Sequence, residues 1–240
     1  MKPSFIIEEQ IVRIFFTNEY RAFINILKKI VASQYSKFNR QNLMKLSFKN
    51  NITRRILISL AIVTAVILAF VFYQKKVRYN LVTISENKVY NSGVVPPAKL
   101  PDFISEYKIK TIVDLRDGLV QTELNPETKK QVNAEEYAVD KVVGVHYFNL
   151  PTDQIPEDST VQKFLKIMDN PKNYPVLIHC HHGVGRSRLF SSIYRIEYEN
   201  FTNENARANA RLFWEFGSNF SKNSEKGIYL TNYKKRGLEK

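Results

Sequence analysis

This chain has one cysteine and one tryptophan in 240 residues, with only four histidines, three methionines and eight glycines. A single cysteine forbids an intramolecular disulfide and leaves no resolving thiol to protect it by reversible oxidation. It also excludes the multi-cysteine ligand sets of structural zinc sites. The few glycines form no nucleotide-binding fingerprint, and no internal repeat is present. One stretch lacks charge altogether: the 18 residues Ile56–Tyr73 contain no Asp, Glu, Lys or Arg. Acidic residues are the minority, 23 against 36 Lys and Arg, for a net charge of +13.

That excess is unevenly spread. Met1–Arg78 carries 14 Lys and Arg against 3 Asp and Glu, whereas Tyr79–Lys240 carries 22 against 20. A nucleic-acid binder concentrates its charge on the folded part. Here that part is almost neutral, so nucleic acid is not an expected partner. The excess belongs to a basic N-terminal segment, residues 1–55, and to the flanks of the apolar run, Arg54-Arg55 before it and Lys75-Lys76-Val77-Arg78 after it.

The run is close to the roughly 20 residues that span a bilayer's hydrocarbon. A soluble core helix of this length would show a polar face. A cleaved signal would be shorter and end in small residues, whereas Phe70, Val71, Phe72 and Tyr73 are all large. Residues 56–73 are therefore expected to be a transmembrane signal anchor, with a cleaved export signal as the alternative. Five basic residues in Arg40–Arg55 against four in Gln74–Val89 lean toward a cytoplasmic N-terminus. The rest of the chain would then lie on the extracytoplasmic side, the periplasm in a bacterium. Further upstream, Ile7, Ile11, Ile14, Phe23, Leu27 and Ile30 recur as on a helix face, which fits a basic amphipathic helix on a membrane surface. Equally, Met44-Lys45-Leu46-Ser47-Phe48-Lys49 reads as the opening of an export signal, with translation starting at Met44.

What is present is concentrated in ten residues, His179-Cys180-His181-His182-Gly183-Val184-Gly185-Arg186-Ser187-Arg188. Strand-like Pro175–Ile178 enters this segment and helix-like Ser187–Glu199 leaves it. Five residues separate Cys180 from Arg186, enough to curl the backbone around a tetrahedral anion. Gly183 and Gly185 admit backbone angles that a Cβ disfavours. The stretch His181, His182, Gly183, Val184 and Gly185 can then turn successive N–H groups inward as an anion-binding nest. The N-terminus of the following helix adds positive potential, and the planar fork of Arg186 can grip two phosphate oxygens. A thiol in such a field is a candidate nucleophile, and the Ser187 hydroxyl is placed to donate to its sulfur. A buried structural cysteine would leave the arginine spacing, both glycines and the strand–loop–helix context unexplained. No thiolate or carboxylate stands at ligand spacing from His181 and His182, so neither metal nor cofactor is expected. The two histidines shape the rim and add charge when protonated, and His179 packs beneath the loop.

These residues resemble the cysteine-dependent protein tyrosine phosphatases, in particular the compact dual-specificity-like branch of bacteria, plants and fungi. The likeness runs from about Leu81 to Phe216. It includes Val89-Tyr90-Asn91-Ser92-Gly93, Ile109–Arg116 and the pair Tyr194-Arg195. By resemblance Cys180 is the nucleophile, Arg186 the phosphate-binding arginine and Ser187 the hydroxyl after it. The sequence departs from the family at Arg188, where glycine is usual; this residue would either crowd the loop or contact substrate. The resemblance also implies a carboxylic acid that protonates the leaving group and later activates water. Asp153, in the Pro-bounded loop Leu150–Pro156, is the choice. Glu157 and Asp158 are rivals, and Asp158 is better explained as the start of the next helix. A solvated turn aspartate is the plain alternative.

Strand-like runs alternate with helix-like ones. The strands are 82–84, 89–90, 111–115, 145–148 and 176–178. The helices are 98–107, 127–141, 160–169, 187–199 and 203–216. This predicts a compact α/β fold, a mainly parallel sheet flanked by helices, preceded by one transmembrane helix. The phosphatase domain is expected over 79–217, followed by a polar basic tail, 218–240. Asp114 and Arg116 would support the site or form a structural ion pair. The function expected is hydrolysis of phosphotyrosine on proteins, extending to phosphoserine or phosphothreonine, through a cysteinyl phosphate. Two alternatives stand beside it: an inositol phosphate or phosphoinositide phosphatase, and a phospho-ligand-binding pseudophosphatase.

Overall fold

The computed structural model describes residues 51–119, 121–211 and 218–237. The amphipathic segment and the start at Met44, both expected within residues 1–50, lie outside them.

Helix α1 (Asn51–Lys76) is described by itself. Its stretch Arg54–Lys76 is 23 residues long with a mean hydropathy of 2.8 in its most apolar window, and none of that window is buried. By length and composition it is able to cross a membrane. Its mid-helix Thr64 returns its hydroxyl to the Leu60 carbonyl at 2.9 Å, so that polar group is satisfied within the helix.

The remaining elements form one sheet and its helical cover. The strands are β1 (Val82–Ser85), β2 (Val89–Ser92), β3 (Thr111–Asp114), β4 (His146–Asn149) and β5 (Val176–His179), and the helices α2 (Leu100–Tyr107), α3 (Lys129–Val139), α4 (Asp158–Met168), α5 (Arg186–Tyr198), α6 (Asn203–Ala210) and α7 (Glu225–Asn232). The sheet order is β1-β2-β5-β3-β4. β1 and β2 form an antiparallel hairpin, and every other pairing is parallel. The expected mainly parallel α/β fold is the one that forms.

The central strands β2, β3 and β5 are buried along their whole length, as parallel strands covered on both faces are. Their polar residues lie mostly at the carboxyl ends, at Asn91, Ser92, Asp114 and His179. Side chains alternate between two cores with the period of a strand. Val176 and Ile178 of β5, with Val113 of β3 and Val89 of β2, pack against Phe164 and Leu165 of α4 and Leu189, Phe190 and Ile193 of α5. Leu177, Ile112 and Tyr90 face the other way, onto Leu100, Phe103 and Ile104 of α2 and Val139 of α3. Helix α4 buries Val161, Phe164, Leu165 and Met168, a single stripe at helical spacing.

Register sets the site. Ser92 and Asp114 both pair with His179, so β2, β3 and β5 end level, and the residues after each converge at one edge. Ligands of open α/β sheets bind outside the carboxyl ends of the strands.

Two expectations need correction. The helix predicted over 203–216 ends at Ala210, because Arg211 turns extended; residues 212–217 lie outside the described set. The domain also does not stop at 217 in favour of a polar tail. Phe220 and Leu230 are buried in the larger core. The buried Arg207 donates to the Phe220 carbonyl at 2.5 Å. Arg236 reaches back to Glu197 at 3.1 Å and Asp169 at 2.8 Å. The charge of 218–237 concealed two apolar anchors too widely spaced to stand out as a stripe.

Candidate active site

Cys180 follows β5, and the loop after it is held by its outward-facing carbonyls. The His181 carbonyl accepts from the Val94 N–H at 3.1 Å. That of His182 accepts from Asn80 Nδ2 at 2.8 Å, and that of Gly183 from Asn91 Nδ2 at 2.9 Å. With these oxygens drawn outward, a loop N–H is free to turn toward the sulfur. Gly183 N–H points at Cys180 Sγ from 3.4 Å. Among the described residues the N–H groups of Val184 and Gly185 meet no acceptor. Such a concavity of free N–H groups suits an anion. Helix α5 begins directly at Arg186, with Gly185 as its N-cap, and adds the field of its N-terminus.

Only one of the two loop glycines has the left-handed backbone expected of both. Gly183 has φ +74°, and a Cβ there would stand 2.3 Å from the Gly93 nitrogen. Gly185 has φ −119°, and a Cβ there would stand in ordinary contact with Gln154 and Lys226, 3.6 and 3.8 Å away.

The geometry brings Cys180, Ser187 and Arg186 together. Cys180 is 3 % exposed, and its Sγ lies 3.3 Å from Ser187 Oγ. Three acceptors crowd Arg186 Nη1: Glu127 Oε1 at 2.6 Å, the Leu115 carbonyl at 3.1 Å and the Thr152 carbonyl at 3.4 Å. Nη2 and Nε meet no acceptor among the described residues, which leaves one edge of the fork open for two phosphate oxygens.

Asp153 is exposed, between two anchored neighbours. Thr152 is tied to Arg186 through its carbonyl. Gln154 gives Nε2 to Asn125 Oδ1 at 2.7 Å and accepts Lys226 Nζ at 2.7 Å. Of the rivals, Glu157 is the residue before α4 and Asp158 begins it; both are exposed.

His181 and His182 stack edge to face at 4.4 Å. Burial holds both below the usual histidine range, His181 further by the charge of His182 and His182 by that of Arg186. The positive charge expected of them is thus displaced toward acid pH, first by burial and then by the neighbouring positive charge. Arg188, expected to crowd the loop or contact substrate, is engaged elsewhere: its Nη1 caps α6, donating to the carbonyls of Ala210 at 3.1 Å and Arg211 at 3.3 Å.

Beneath the loop lies a buried charged network. Arg116 Nη2 is 2.7 Å from Asp114 Oδ2 and 2.6 Å from Glu135 Oε2. His179 Nε2 is 2.9 Å from Glu135 Oε1, and the Tyr147 hydroxyl donates to Asp114 at 2.6 Å. Ligand atoms of Asp114, Glu135 and His179 lie within 4.8 Å of one another, a spacing a metal would accept; here the guanidinium of Arg116 bridges the carboxylates. Two carboxylates and one guanidinium leave one negative charge, which a protonated His179 cancels. Burial opposes that proton, but Glu135 and Asp114 outweigh it and raise the His179 pKa.

Sequence reasoning missed Glu127, Asn91 and Lys226. Asn91 had a signal: an amide in the fully buried strand Val-Tyr-Asn-Ser. Glu127 had a weaker one, preceding the Thr128–Gln131 capping box that starts α3. Lys226 had none.

Residues 74–226 match the family model described as "DSP-PTPase phosphatase fused to NAD+ Kinase". The chain belongs to this family of cysteine-dependent phosphatases. Solved structures similar to this phosphatase include TpbA of P. aeruginosa, at 20 % identity over 65 % of this chain and 86 % of that one, TM-score 0.45. The core catalytic domain of the PP-IP phosphatase SIW14 of S. cerevisiae is 17 % identical over 65 % and 85 %, TM-score 0.46. Cydia pomonella PTP-2 phosphatase is 19 % identical over 64 % and 88 %, TM-score 0.44. No curated protein matches the chain significantly.

Proposed function

We propose that this phosphatase hydrolyses phosphotyrosine on proteins through a cysteinyl phosphate on Cys180. The observation that carries this reading is the open edge of Arg186 on the same loop as a buried thiol approached by the Gly183 N–H. In the first step Sγ forms a bond to phosphorus as the P–O bond to the substrate breaks, and Asp153 gives its proton to the departing oxygen. In the second, Asp153 takes a proton from water, whose oxygen attacks phosphorus and releases Sγ, stabilised by the Ser187 hydroxyl. Arg186 and the loop N–H groups balance charge throughout, so the reaction needs no cofactor. The choice of an aromatic leaving group is supported by Leu124, an exposed apolar side chain next to Asn125, which Gln154 ties to the Asp153 loop.

The test is hydrolysis of an aryl phosphate and a phosphotyrosine peptide by the full chain in detergent. Turnover blocked by vanadate, unaffected by chelator and lost in Cys180→Ser supports the mechanism. Asp153→Asn should lower kcat by about 100-fold or more; unchanged turnover there removes Asp153 from its role. A folded chain that binds phosphate but turns over neither substrate overturns the reading.

We also infer that α1 is a single-pass anchor with the phosphatase domain outside the cytoplasm. The exposed apolar helix and its basic flanks support the anchor, and a lone thiol tolerates an oxidising compartment. A C-terminal alkaline phosphatase fusion should be active, and a C-terminal fluorescent fusion dark; the reverse pattern overturns the orientation.

A further inference from the structure

We propose that Lys226 of α7 is a second phosphate-binding cation of the active site, working beside Arg186. This rests on the phosphatase reading for the identity of the anion.

Lys226 is 8 % exposed, an unusual place for an ammonium, since lysine is almost never buried unless it is paired. Among the described residues it forms no ion pair with a carboxylate. Its one hydrogen bond, 2.7 Å to Gln154 Oε1, is to a neutral amide. Its stem runs along the phosphate loop, Cε lying 3.8 Å from where a Cβ of Gly185 would stand. A buried charge with a neutral partner is costly, and the cost is recovered when an anion arrives. The electrostatics agree: burial pushes the ammonium below the usual lysine range, Glu225 and the sulfur of Cys180 pull it back up, and Arg186 opposes them. Lys226 thus shares one field with nucleophile and clamp.

A purely structural alternative exists, in which Lys226 only tethers the Asp153 loop through Gln154. Calorimetric titration of inorganic phosphate into the full-length Cys180→Ser chain separates the two without turnover. Adding Lys226→Met should weaken phosphate binding at least tenfold, while Lys226→Arg keeps it within about threefold. Gln154→Ala cuts the tether but keeps the charge, and should also stay within threefold. Equal weakening by Lys226→Met and Gln154→Ala overturns the proposal, as does unchanged affinity in Lys226→Met. Thermal unfolding of each variant identifies a chain that has failed to fold; Lys226→Arg then carries the test, tenfold weaker binding in a folded arginine variant counting against it. Phosphate bound tightly by a chain whose unmutated form hydrolyses nothing would refute the enzyme reading and leave Lys226 in place.

Discussion

At the scale of single residues, the phosphate loop is governed by what each position excludes. Gly183 is pressed against the end of β2, a Cβ there falling 2.5 Å from the Ser92 carbonyl carbon. Gly183→Ala adds about 1–2 kcal/mol of left-handed backbone strain to that clash, so the loop must open. Aryl phosphatase activity should fall at least 100-fold, and wild-type rates in that variant would show the loop to be less tightly specified. Glu127 acts differently. Its carboxylate is fully buried; burial opposes its charge, but Arg186 holds its pKa below the usual range. Removing one partner of a buried pair costs roughly 3–5 kcal/mol because the other is stranded. Glu127→Ala should therefore unfold at a lower temperature. Phosphate would fill the gap, so saturating phosphate should raise its Tm more than it raises that of the unmodified chain; an equal or smaller rise would mean that Arg186 does not depend on Glu127.

At the scale of elements, legibility tracked sequence distance. Cys180, Arg186 and Ser187 lie on one strand–loop–helix unit, so their spacing could be read directly. The strands and helices were legible for the same reason: periods of two and 3.6 are local. Glu127 reaches Arg186 across 59 positions and Lys226 reaches Gln154 across 72, and no local pattern announces such meetings. Arg188 shows the converse, a residue conspicuous in the motif whose guanidinium caps a different helix. The network joining β3, α3 and β5 could be half read, since Asp114 and Arg116 were visible as a pair while Glu135 was not. It makes a pH prediction. The folded His179 pKa lies above its ordinary value, with Glu135, Asp114 and Arg116 as the charges facing it. Its contribution to stability is then complete below about pH 6.5 and is lost as pH rises through the folded value. Tm should decline across that alkaline window in the unmodified chain. In His179→Gln the decline should flatten and Tm at pH 6 should be lower. Parallel profiles for the two proteins would mean that His179 is neutral in the fold.

At the scale of the whole molecule, the question is how far the catalytic unit extends. Composition argued for an end near residue 217, because 218–240 is polar and basic. Packing argues otherwise, since a core is defined by which side chains leave water and not by the average of a segment. Phe220 and Leu230 are 1 % and 0 % exposed. Asn203 of α6 donates to the carbonyls of Thr231 and Tyr233 at 3.1 and 2.7 Å, and the Tyr233 hydroxyl donates to Glu197 of α5 at 2.8 Å. Helix α7 is thus fixed to the helix that opens at Arg186, and this fixing delivers Lys226 to the phosphate loop. Leu230→Ala removes a fully buried side chain and should cost about 2–5 kcal/mol, read as a lower denaturant midpoint with the slope retained. If α7 were a loosely attached tail, the same substitution would leave the midpoint within experimental error. Because the apolar anchor and the lysine share one helix, Leu230→Ala should also weaken phosphate binding although Leu230 touches no ligand, and that loss should be absent from exposed α7 positions such as Ile228, 49 % exposed.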